Sequence, residues 1–64
     1  MDVWTFLKHV PASTNIWIEK KDGTHIEHNE AAYISAKAKN RKIVTVYPSR
    51  VQAIGELALV IVVR

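Results

Sequence analysis

The 64-residue sequence predicts a small α+β domain: one mainly antiparallel four-stranded sheet with one or two short helices, in the order α-β-β-α-β-β. Three observations carry this. Leu57-Ala58-Leu59-Val60-Ile61-Val62-Val63 is an unbroken apolar, β-branched run, the pattern of a strand covered on both faces. Asn15–Lys20 and Thr24–His28 flank a Lys21-Asp22-Gly23 turn, as in a β-hairpin. Val3, Phe6, Leu7 and Val10 recur at i, i+3, i+4 and i+7 ahead of Pro11, which is one stripe of a short amphipathic helix.

Asp2 is placed to cap that first helix. Pro11 pushes the residue before it out of the helical region, so the last helical turn is expected near His9. Trp4 lies at the edge of the stripe and is compatible with either core or contact surface.

In the hairpin, a two-residue Asp22-Gly23 loop would set Ile26 opposite Glu19 and turn it away from Ile16 and Ile18. A three-residue loop with Gly23 left-handed sets Ile18 against Ile26 and Ile16 against His28, with Trp17, Glu19, His25 and Glu27 on the other face. The three-residue loop is therefore expected.

Asn29 can cap a second helix over residues 30–39, with Glu30 in its first turn, Lys37 and Lys39 in its last, and Asn40 in a left-handed closing position. Its apolar face, Ala31, Ile34 and Ala38, is thin, and a strand is the alternative. Lys42–Tyr47 reads as a strand ended by Pro48-Ser49. The stretch from Arg50 to Glu56 reads as a wide loop or an extra short element.

The chain forms one domain, 1–64, and contains no cysteine. Disulfides and thiolate metal sites are thereby excluded, and a reducing cytoplasm is the simplest compartment. No signal-peptide pattern opens the chain, and the terminal apolar run is far short of the about 20 residues that span a bilayer. A domain of this size is marginal without staples, so a homodimer is expected.

The chemistry-bearing patterns are sparse. His25-Ile26-Glu27-His28 resembles a metal cluster on paper, but strand alternation would send the two histidines to opposite faces, so no metal and no cofactor is expected. Serines 13, 35 and 49 have no histidine and carboxylate in a catalytic arrangement, and two glycines do not make a phosphate loop. So small a chain also has little room for a pocket of the usual ~300 Å³. No enzymatic activity is expected.

Interaction is the remaining class. Trp17, Trp4 and Tyr47 are the candidate protein-binding anchors. The net charge of +3 is mild, and its one cluster, Lys37, Lys39, Arg41 and Lys42 with Arg50 further on, carries the alternative reading of a nucleic-acid-binding module.

The opening Val3–Pro11 leading into Ile16-Trp17-Ile18, and the pairing of Arg41–Val46 with Leu57–Val62, resemble a loose class of small phage and mobile-element proteins. The likeness is one of layout and spans most of the chain, departing in the alanine- and lysine-rich middle. It implies an accessory protein that works by binding a host or phage component.

Overall fold

The computed structural model describes all residues, 1–64. Its element order is α1 (Val3–Leu7), β1 (Asn15–Lys20), β2 (His25–Glu30), a single 3₁₀ turn at Ala31–Tyr33, α2 (Ala36–Lys39), β3 (Ile43–Val51) and β4 (Glu56–Val63). The four strands form one sheet in the order β2-β1-β4-β3. The β1–β2 and β3–β4 pairs are antiparallel hairpins, and they meet along a parallel β1–β4 pair. The α+β class and the helix-first order are as the sequence predicts.

The apolar run explains this arrangement. β4 has a neighbour on each side, and Ile61 and Val63 are fully buried. They join Ile16, Ile18, Val3, Leu7, Ala31, Ile34 and Ala38 in a single core cluster. All three helical segments therefore lie on one face of the sheet, and both central strands are sealed beneath them. The cover expected on both faces of β4 exists as a helical layer on this side only.

Local chemistry accounts for the element ends. The Asp2 carboxylate accepts the Thr5 N–H at 2.8 Å, and this backbone hydrogen bond holds its carboxyl below the ordinary value. α1 closes at Leu7, two residues before the His9 that Pro11 alone predicts. The loop Lys21-Asp22-Gly23 has three residues, as expected, with Gly23 at φ +90° and the Lys20 N–H on the Thr24 carbonyl at 2.9 Å.

The expected helix over residues 30–39 is broken. β2 runs on to Glu30, and Ile34 and Ser35 are extended. Ser35, in place of Asn29, caps the following turn by accepting the Ala38 N–H at 3.2 Å, and Asn40 is right-handed. A reason lies across the sheet: both carboxylate oxygens of Glu27 accept from Ser35, from its N–H at 2.7 Å and from its hydroxyl at 2.6 Å. Those bonds hold Ser35 in the extended conformation that a helix cap requires.

β3 continues through Pro48 to Val51. A proline is tolerated there because β3 is an edge strand, where one side of the backbone has no ladder to donate to. The expected wide connection is accordingly a tight turn, in which the Gly55 N–H reaches the Val51 carbonyl at 2.9 Å and Gly55 takes φ +67°.

Candidate interaction surface

Strand register places one row of side chains across the uncovered sheet face: His28 opposite Trp17, Trp17 beside Val60, and Val60 opposite Tyr47. The next row is His25, Glu19, Val62 and Thr45. No helix covers this face, yet Val60 is only 3% exposed. Its cross-strand neighbours Trp17 and Tyr47 stand within the roughly 5 Å over which such pairs pack, so the two aromatics shield it from either side. Trp17 is half-buried and Tyr47 is 43% exposed.

A β-bulge builds the aromatic end of the face. Ile18 pairs with Glu27, but Glu19 pairs with His25, which leaves Ile26 as the extra residue. The expected pairs Ile18–Ile26 and Ile16–His28 therefore do not form; Ile16 faces Asn29. Ile26 still packs on the core cluster, and Glu27 moves from the open face to the helical side, where it meets Ser35.

The geometric argument that separates His25 from His28 fails for the same reason. Both rings stand on the open face, with His28 Nδ1 3.1 Å from His25 Nε2. Trp17 lies against both, at ring-centroid distances of 4.1 Å from His25 and 5.2 Å from His28. The indole N–H donates to Glu19 Oε1 at 2.9 Å. The result is an ordered group of three rings and a carboxylate on the edge hairpin.

The remaining predicted residues do not converge here. Trp4 is on α1, in the helical layer behind the sheet, so it cannot share a surface with Trp17 and Tyr47. It is 46% exposed, with the ammonium groups of Lys8 and Lys39 at 5.0 and 4.7 Å from its ring centroid. Lys37 and Arg41 border a depression beside Glu27 and Ser35, and Arg41 also donates to the terminal Arg64 carbonyl at 3.3 Å. The Lys42 carbonyl accepts the Arg64 N–H. Arg50 stands apart: seven residues beyond Ile43 on β3, it is about 23 Å away at the usual rise per strand residue.

A concavity of about 390 Å³ adjoins the ring group toward the open end of the β1–β2 hairpin, lined by His28 itself with Asn15, Asn29, Glu30, Ile54 and Glu56 among others. The expectation that so small a chain has little room for one is thus not met. Asn15 spans part of it, donating to Glu56 at 3.0 Å.

Sequence reasoning placed Trp17, Glu19 and His25 on one face but missed that His28 joins them and that Lys8 packs on Trp4. The one available signal was that the two candidate hairpin registers conflicted, and a bulge resolves such a conflict. No helix is long and apolar enough to cross a membrane. No protein family matches the chain, and comparison with curated proteins and with solved structures finds no match.

Proposed function

We propose that this chain is a non-enzymatic interaction protein, an accessory factor of the phage or mobile-element kind, that binds a host or phage protein through its open sheet face. The observation that supports this most is the Trp17–Val60–Tyr47 row: two large aromatics on a sheet face that no helix covers. Trp and Tyr are enriched among the few residues that carry most of the binding energy at protein interfaces. Glu19 and the two histidines supply a polar rim on one side. Trp4 stands outside this surface and is left to a separate role.

The nucleic-acid alternative draws on Lys37, Lys39, Arg41, Lys42 and Arg50. It has less support, because Arg50 lies far along β3 and Lys39 is engaged over Trp4.

The test is affinity capture from the source cell with the wild-type chain, Trp17→Ala and Tyr47→Ala, each checked for folding by circular dichroism. One partner is expected with the wild type, and its affinity is expected to fall by about 2 kcal/mol or more, roughly thirtyfold, in each variant. Equal capture by the folded variants refutes the surface. Light scattering over a concentration series decides whether that partner is a second copy; a homodimer through this face would dissociate in Tyr47→Ala.

A further inference from the structure

We infer that His25 and His28 form a two-imidazole binding site for a divalent transition metal ion of the zinc, nickel or copper class. The inference rests on geometry independent of the protein-binding proposal. Imidazole nitrogens bind such ions at about 2.0–2.1 Å, so two of them on one ion stand about 2.9 Å apart at a right angle and about 3.3 Å apart at the tetrahedral angle. His28 Nδ1 and His25 Nε2 are 3.1 Å apart, within that interval.

At this separation the two nitrogens share one proton, one ring donating and the other accepting. The accepting ring already directs a lone pair at its neighbour. The donating ring becomes a ligand by carrying its proton on its other nitrogen instead, with no change in its charge. Each ring must also turn slightly, so that the two lone pairs meet at the ion and not at one another. Both residues are exposed on the edge strand β2, which leaves room for the turn and a path for the ion.

The surroundings favour the ion. Trp17 lies against both rings and is itself held by Glu19, so the rings lose little freedom on binding. Glu19, directly across from His25, brings negative charge to the same face. No third histidine or carboxylate converges with the pair, so the remaining coordination positions go to water. A site of this kind binds reversibly and contributes little to folding. The spacing is a product of the bulge: in a regular strand, His-x-x-His would split across the sheet.

The experiment titrates the full chain at neutral pH with zinc chloride by calorimetry and with nickel chloride by tryptophan fluorescence. One ion per chain is expected. Nickel is expected to quench the emission of Trp17, while the residual Trp4 emission of Trp17→Phe stays unchanged. His25→Ala and His28→Ala should each weaken zinc binding about tenfold or more, and His9→Ala should not. In imidazole NMR spectra of the wild type, zinc should move the ring signals of His25 and His28 and leave those of His9 in place, a readout that needs no variant to fold. Binding undiminished in the His25→Ala, His28→Ala double variant, or ring signals of His25 and His28 that do not respond, would overturn the inference.

Discussion

The bridge between Glu27 and Ser35 ties the hairpin to the helical layer, and its energy can be worked from the structure. Glu27 accepts two hydrogen bonds from one residue, at 2.7 and 2.6 Å. A hydrogen bond to a charged group contributes about 1.5–3 kcal/mol, and partial exposure puts these at the low end or below. Glu27→Ala is therefore expected to cost about 2 kcal/mol. Ser35→Ala removes the hydroxyl bond and the cap on Ala38, the latter typically about 1 kcal/mol, and so costs a similar total, while its backbone N–H still reaches Glu27. The double variant then loses the hydroxyl bond only once, which predicts a coupling of about 1 kcal/mol. For a domain of this length each kcal/mol lowers Tm by about 4–8 °C, so each single variant should melt at least about 8 °C below wild type. Thermal and urea unfolding of the four proteins measures all the terms. Strict additivity, with a coupling below about 0.3 kcal/mol, would mean that Glu27 and Ser35 do not act as a unit and that the break at Ile34–Ser35 has another cause.

Ile61 is fully buried at the centre of β4, so Ile61→Ala should cost about 2–5 kcal/mol, a large share of the roughly 3–10 kcal/mol expected for the whole domain. Leu57→Ser, at a position 65% exposed, should change the unfolding free energy by less than about 0.5 kcal/mol. Gly23→Ala forces a side chain into φ +90° with open space around it, so its cost of about 1 kcal/mol is backbone strain alone; D-alanine at the same site, in a synthetic chain, should restore or raise Tm. Asp2 and Asp22 both have carboxyls held below the ordinary value of 3.8 by backbone N–H groups, from Thr5 and Thr24. A lowered folded value means that their contribution is complete above about pH 4 and is lost as pH falls through the lowered values. Melting temperatures taken down the acid range should therefore decline less in the Asp2→Asn, Asp22→Asn double variant.

What the sequence reveals well is what one residue decides by itself or a run decides by repetition. The β4 run, the Asp2 cap, the left-handed Gly23 and the stripe of α1 all follow from local sterics or periodic burial, and all are present. The parallel pairing of β1 with β4 is not readable in this way. It depends on which hairpin edges meet, and both strands would look equally buried in either orientation. The fate of residues 30–39 was equally hidden, since the helix is interrupted by a carboxylate eight residues away in the chain. Proline at 48 misled for a related reason: it ends a strand only where the backbone on both sides needs partners, and the edge position of β3 is a property of the whole sheet.

The bulge at Ile26 shows how one added residue can serve several ends together. Near the turn the hairpin keeps the register of a three-residue loop, with Glu19 facing His25. Beyond Ile26 it follows the register that a two-residue loop would have imposed, with Ile18 facing Glu27. Neither register alone satisfies the chain. The first, carried through, puts Glu27 on the open face and leaves Ser35 without its acceptor. The second, carried back, turns Ile26 out of the core. Inserting one residue keeps Ile26 on the core, gives Ser35 its carboxylate and brings His25 and His28 to the same side against Trp17. Deleting Ile26 removes that core side chain and the bulge together. In the deletion variant Glu19–His25 and Ile18–Glu27 become successive pairs of a regular ladder, and His25 and His28, then two residues apart, stay together on the open face. The variant should lose the core contact of Ile26 and still bind zinc, and a folded deletion variant that no longer binds would show that the register reading of the histidine pair is wrong.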